Sequence, residues 1–129
     1  MYQPLDERIE AIGKQIVQSA FNVHKSMGPG LLESVYETCM IYELREAGLR
    51  ANQQQIVPIY YKGVAIQEKL RLDLIVEDTI IVELKSVEVM NPVFEAQIIS
   101  YLKLSNLQLG YLINFNVPLI KDGIKRFRI

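Results

Sequence analysis

The chain has 129 residues, 50% of them hydrophobic and 22% charged, with a formal net charge of −1. That length suits one domain, 1–129, with room for a sizeable core, and the charge balance argues against a protein drawn to nucleic acid by net charge alone. One cysteine, Cys39, and one histidine, His24, exclude a disulfide framework, a thiolate zinc cluster and a multi-histidine metal site within the chain.

Any metal must therefore be held mainly by oxygen, which favours hard ions such as magnesium or manganese. Cys39 is expected to be a small buried hydrophobe. The N-terminal stretch MYQPLDERIE carries acids where a secretory leader needs a basic start and an apolar run. No run of about eighteen uncharged apolar residues exists to span a membrane. A soluble, cytoplasmic protein is the expectation.

Along the chain, Ile9, Ile12, Ile16, Ala20 and Val23 recur at helical spacing and predict a helix from Asp6 to about Met27. Gly28-Pro29-Gly30 ends it. A second helix is expected from about Leu31 to Ala47, stopped by Gly48. Strand signals follow in Gln55 to Tyr61, with Pro58 marking an edge strand. A Lys62-Gly63 turn leads to a long strand from Val64 to Val76, and Thr79 to Val87 reads as the third strand. Asn91-Pro92 is a cap and first-turn pair for a helix running to about Leu104. Leu107 to Phe115 is a buried strand, and Asp122-Gly123 a turn before a short basic strand ending at Ile129. The order of elements predicts an α+β fold, a mixed central sheet flanked by helices, with a right-handed crossover from the third strand to the fourth.

Two strands carry charge where apolar residues dominate. Strand alternation puts Arg71, Asp73 and Ile75 on one face of the second strand, with Leu70, Leu72, Leu74 and Val76 on the other. In the third strand Ile81, Glu83 and Lys85 share a face. A two-residue turn at Glu77-Asp78 would oppose Asp73 to Val82. A three-residue turn, Glu77 to Thr79, pairs Val76 with Ile80 and brings Asp73 opposite Glu83. Two carboxylates ~5 Å apart repel by roughly 3 kcal/mol at an effective dielectric of 20. Lys85 offsets part of that and a divalent cation would offset more. Physics alone leaves two readings open, a solvated face bridged by Lys85 and a cation site.

In the second helix Glu33 falls on one stripe with Tyr36, Glu37, Met40 and Leu44, so its carboxylate is expected to point inward toward Asp73. A first-turn acid also complements the helix dipole. Gln97 and Tyr101, four apart, share a face of the third helix among Ile98, Ile99 and Leu102. Taken alone, that pair reads better as ordinary, partly buried polar packing.

Asp73 followed by Glu83-Leu84-Lys85 on the next strand, inside a helix, three strands, helix and strand, resembles the PD-(D/E)xK nuclease superfamily. Glu33 on the preceding helix and the Q-x-x-x-Y spacing of Gln97 and Tyr101 resemble its RecB and lambda-exonuclease branch. The stretch GPGLLESVYE, with Gly30, Glu33 and Tyr36, is similar to the signature that names the GxxExxY protein family. The residue before Asp73 is Leu72 rather than proline. The resemblance covers nearly the whole chain and implies a restriction-endonuclease-like αβββαβ core with an extra N-terminal helix.

It further implies a magnesium- or manganese-dependent nuclease acting on DNA or RNA. Asp73, Glu83 and the carbonyl of Leu84 would hold the cation, with Glu33 a further direct or water-mediated ligand. Lys85 would orient the attacking water and stabilise transition-state charge. Gln97 and Tyr101 would line the site. The alternative is a non-catalytic nuclease-fold module for binding or assembly. A core this bare also suggests a protein partner or a second copy. Lys121, Lys125, Arg126 and Arg128 are candidates for phosphate contact, or a solvated edge strand whose cations discourage pairing. His24 precedes Gly28-Pro29-Gly30 near the start of the Glu33 helix, from where it could reach the site, and is expected rather to close the helix end.

Overall fold

The computed structural model describes residues 4–129. Met1 to Gln3, part of the stretch read against a leader, lie outside the described residues. Helix α1 spans Glu7–Met27 and is capped by Asp6, whose side chain accepts the Arg8 N–H at 2.7 Å. Helix α2 is Glu33–Glu46. Three strands follow, β1 Ala51–Tyr61, β2 Val64–Val76 and β3 Ile80–Lys85. Helix α3, Val93–Ser105, then leads to β4 Leu109–Asn114, a 3-10 turn at Ile120–Gly123 and β5 Ile124–Arg128. No helix among the described residues is long and apolar enough to cross a membrane.

The strands form one five-stranded sheet in the order β1-β2-β3-β4-β5. Pairings are antiparallel except for β3 with β4, the parallel pair joined through α3. The mixed α+β architecture expected from the sequence is the one observed. Pro58 does lie on an edge strand, where its missing N–H leaves no ladder bond unmade.

Each face of the sheet carries its own apolar layer. Ile12, Ile16, Ala20 and Val23 of α1 and Tyr36, Met40 and Leu44 of α2 pack on Leu74, Val76, Ile80, Val82, Leu84, Tyr111 and Ile113. Leu102 of α3 packs on Leu70, Leu72, Ile75 and Ile81 of the opposite face, joined by Tyr101, Phe127 and Ile129. Buried Ile98 lies over Gly110, where a Cβ would meet its side chain at 3.1 Å, so glycine lets α3 approach β4 closely. Cys39 is half-buried rather than buried, packed at the margin of the first layer. His24 Nε2 donates to the carbonyl of Val117 at 2.8 Å and ties the end of α1 to the loop after β4.

The Gly28–Gly30 loop is anchored by Tyr36. Its hydroxyl donates to the Gly28 carbonyl at 2.6 Å and accepts the Leu31 N–H at 3.1 Å. The fully buried ring stacks on Phe115 with centroids 4.4 Å apart. The tyrosine of the G-x-x-E-x-x-Y stretch is thus a core residue that fixes the approach to α2. Ser86 Oγ donates to the Leu31 carbonyl at 2.5 Å, linking that loop to the end of β3.

Candidate active site

The turn between β2 and β3 sets the site. Glu77 and Asp78 both adopt left-handed backbone, with φ of 52° and 55°, and the Thr79 N–H donates to the Val76 carbonyl at 3.0 Å. Left-handed geometry is costly for residues with a Cβ, and the Glu77 carboxylate compensates. It accepts the Arg50 N–H at 2.6 Å and pairs with the guanidinium of Arg8 at 2.7 Å. Those contacts hold its carboxyl below the usual range, the Arg50 N–H foremost. The result is the three-residue turn, which pairs Val76 with Ile80, Ile75 with Ile81 and Leu74 with Val82.

The regular ladder stops at Leu74 and Val82, and side chains continue it. The Asp73 N–H donates to Glu83 Oε2 at 2.9 Å. The Leu84 N–H donates to Asp73 Oδ2, also at 2.9 Å. Each acid therefore satisfies an amide of the other strand. Asp73 and Glu83 stand next to each other, and Lys85 follows Glu83 two residues along, on the same side of β3.

One detail departs from simple alternation. Leu70 and Leu72 pack with Ile75 under α3, whereas Leu74 and Val76 face α1 and α2. The β1–β2 register pairs Gln53 with Leu74 and Gln55 with Leu72 but passes over Gln54 and Asp73. Gln54 has a φ of 52°. The strands splay there, so the face assignment of Leu70 and Leu72 read from period-two alternation is corrected. The same irregularity frees Asp73 from the β1 ladder.

Glu83 is only 7% exposed. Burial, then the charge of Asp73, push its carboxyl up to about 8, against the opposing pull of the Asp73 N–H and of Lys85. Lys85 is half-buried, with Nζ 4.3 Å from the centroid of the Phe94 ring. Among the described residues it forms no ion pair with either acid. Tyr101 of α3 packs at the edge of the second layer. Its hydroxyl titrates above the usual tyrosine range through burial and through the charges of Glu83 and Asp73, which places it within electrostatic reach of the pair. Gln97 is exposed one turn before it.

Glu33 opens α2 and is exposed. The α2 acid whose charge reaches Glu83 is Glu37, one turn on and half-buried. Its Oε1 accepts from Gln54 Nε2 at 2.8 Å, and Gln54 is the residue passed over opposite Asp73. Glu37 was visible on the same helical stripe as Glu33. Nothing in the local pattern marked Gln54. Among the described residues no group of three or more histidine, cysteine or acidic side chains is placed to hold a metal ion. The available donors are the Asp73 and Glu83 carboxylates with neighbouring main-chain oxygen.

On the β4 side, Leu112 is the neighbour of Glu83 and Asn114 that of Lys85. Both line a cavity of about 230 Å³ that also takes in Glu88, Glu95, Asp122 and Lys125. Lys125 is paired with Glu95 at 2.6 Å and Arg126 with Glu10 at 2.5 Å. Two of the four C-terminal cations weighed as phosphate contacts, Lys125 and Arg126, are thus engaged with acids.

Two acids from adjacent strands and a lysine two residues beyond the second thus lie together on a mixed sheet flanked by helices. A family model matches residues 10–127, and the chain belongs to the PD-(D/E)XK nuclease superfamily. No curated protein and no solved structure matches it significantly.

Proposed function

We propose that residues 1–129 form one nuclease domain that hydrolyses phosphodiester bonds of DNA or RNA with a divalent cation held at Asp73 and Glu83. The observation that carries this reading is the reciprocal seating of those two carboxylates beside Lys85. The donor set fits a hard cation. It is all oxygen, and Glu83 is held protonated near neutrality by burial and by Asp73, the mark of a pair short of positive charge. Nucleases of this superfamily generally use divalent metals, and magnesium or manganese suits the donors here. The GPGLLESVYE stretch supports placement with the GxxExxY family, and the Gln97–Tyr101 spacing supports the RecB-like branch.

Asp73 and Glu83 would supply the carboxylates. The Leu84 carbonyl would be the main-chain ligand, since its N–H already turns toward Asp73 and both groups of a strand residue point to the same edge. Glu33 would act from the first turn of α2, through water. When bound, the cation polarises a phosphate oxygen and lowers the pKa of water. Lys85, held over Phe94, orients the attacking water and donates to the developing phosphorane oxygens. Tyr101 offers a hydroxyl donor near the acids, with Gln97 beside it.

The second reading, a non-catalytic binding or assembly module, draws on the lack of a three-residue ligand cluster among the described residues. The experiment that separates the two is calorimetric titration with magnesium and manganese, followed by a screen over single- and double-stranded DNA and RNA. Asp73→Asn serves as the control. Metal binding and cleavage that both vanish in the variant support the nuclease. No binding and no cleavage by the parent chain support the module.

A further inference from the structure

Strands β1 and β2 run well past the rest of the sheet. β3 ends at Lys85, near the level of Arg71 in the β2–β3 register, while β2 begins at Val64 and β1 continues to Tyr61. Beyond that level only the two-stranded arm remains. Its end is a tight turn with Lys62 and Gly63 at φ of 50° and 79°. At ~3.3 Å per residue, the eight residues from Asp73 to Ala65 span roughly 26 Å.

Val57 and Ile59 pack against the layer under α3, while other large side chains of the arm are left exposed among the described residues. Tyr60 is 61% exposed, Tyr61 65% and Ile56 48%. Lys62 Nζ lies 5.5 Å from the centroid of the Tyr61 ring. Arg71 pairs across with Ile56, and Lys69 with Pro58, on the side away from Leu70 and Leu72. Lys62, Lys69 and Arg71 face one acid on the arm, Glu68. None of the three forms an ion pair among the described residues, in contrast to Lys125, Arg126, Arg8 and Arg50.

The two flanks of the site thus differ in sign. On the β4 side the cavity carries Glu88, Glu95 and Asp122, with its lysine already paired. On the β2 side Lys62, Lys69 and Arg71 form no ion pair among the described residues; Lys62 lies over the Tyr61 ring, and Lys69 and Arg71 pair across from Pro58 and Ile56. Phosphates approaching the Asp73–Glu83 pair are repelled from the first flank and drawn to the second. Exposed aromatic rings on the same arm as cations outside ion pairs suit a strand whose bases are unstacked from a partner.

We propose that the β1–β2 arm grips single-stranded nucleic acid and leads it to the Asp73–Glu83 pair, with Tyr60 and Tyr61 stacking on bases and Lys62, Lys69 and Arg71 holding phosphates. The proposal rests on the nuclease reading of that pair and names its substrate. A second copy of the chain adding a strand to β1 is the less favoured occupant. Pro58 removes an edge donor, and the register shift between Pro58 and Tyr60 interrupts the edge.

The test is fluorescence anisotropy with labelled 20-nucleotide single strands of DNA and of RNA, in EDTA, so that binding is read without cleavage. Tyr60→Ala with Tyr61→Ala is expected to weaken binding at least tenfold at every salt concentration. Lys62→Gln, Lys69→Gln and Arg71→Gln together are expected to lower the slope of log affinity against log salt by about two. Lys25→Gln, in the last turn of α1, is the control and should change little. If both sets of variants bind as the parent does, or if the parent binds no single strand at low salt, the arm proposal is overturned. It is equally overturned if the parent is a dimer by sedimentation and the tyrosine variant a monomer with unchanged affinity, since the arm then joins two copies. The nuclease reading is judged separately, by magnesium- or manganese-dependent cleavage and its loss in Asp73→Asn. Arm-dependent binding in a chain that cleaves nothing keeps the grip and retires the hydrolysis.

Discussion

Glu83 accepts the backbone N–H of Asp73, and Asp73 accepts that of Leu84, so two acids complete the β2–β3 pairing where carbonyls would ordinarily do so. Main-chain amides of the opposite strand satisfy an oxygen of each acid, and the proton that Glu83 keeps up to about 8 relieves the repulsion, so a largely buried strand pair tolerates two carboxyl groups side by side. The arrangement ties the electrostatic strain of the site to the integrity of the sheet, and the first two predictions follow from that link.

Asp73→Asn is expected to keep the fold and abolish divalent-cation binding. The asparagine carbonyl oxygen can still accept the Leu84 N–H, while the charge that opposes Glu83 is gone. In EDTA at pH 8 the variant should be as stable as the parent or more stable by about 1–3 kcal/mol, a discounted share of the Coulomb repulsion. Paired denaturant melts measure this. A clearly less stable variant, with a parent that binds no cation, would mean the charges are structural.

The second prediction concerns pH. Glu83 holds its proton up to about 8 in the folded chain, whereas the unfolded chain releases it near the ordinary glutamate value. Between those values the folded state binds more protons, so stability falls as pH rises from about 4.5 to about 8. Glu83→Gln removes the titrating group and should flatten that decline in melts at pH 5, 6, 7 and 8 in EDTA. Cation binding at pH 7 should also release close to one proton, seen calorimetrically as a dependence on buffer ionisation enthalpy. A parent chain that gains stability over the same interval contradicts the assignment.

Glu37 and Glu33 make different predictions because only Glu37 is anchored. Glu37→Gln is expected to weaken magnesium or manganese affinity about tenfold, in the range of an outer-shell partner, with Gln54→Ala following in the same direction. Glu33→Gln should cost less. Calorimetric titration of the three variants checks the ranking. A larger loss in Glu33→Gln would assign the α2 contribution to the first-turn acid.

Tyr36→Phe removes one hydroxyl and leaves two partly buried main-chain groups, the Gly28 carbonyl and the Leu31 N–H, without their partner. The expected cost is about 1–3 kcal/mol, with the ring stack on Phe115 preserved. An unchanged urea slope and a lowered midpoint would register it. No loss of stability would show that water replaces the hydroxyl in the Gly28–Gly30 loop.

Much of this protein is determined by the sequence itself. The helical spacing of Ile12, Ile16, Ala20 and Val23 and the apolar strands fix which surfaces must be buried, because exposed apolar area is costly wherever it occurs. Once the turn after Val76 takes three residues, Asp73 must stand opposite Glu83, since side chains alternate with period two over the few residues between turn and site. Lys85 follows from the same count. What local pattern could not supply came from contacts distant in sequence. Leu70 and Leu72 change face because β1 and β2 splay at Gln54 and Asp73, a strain that period-two counting does not contain. Glu37 rather than Glu33 reaches Glu83 because Gln54, on another element, holds it. Lys125 and Arg126, which looked free in one dimension, are paired with Glu95 and Glu10, 30 and 116 residues away. Electrostatics depends on distance in space, and that distance exists only once the sheet and its helices are assembled.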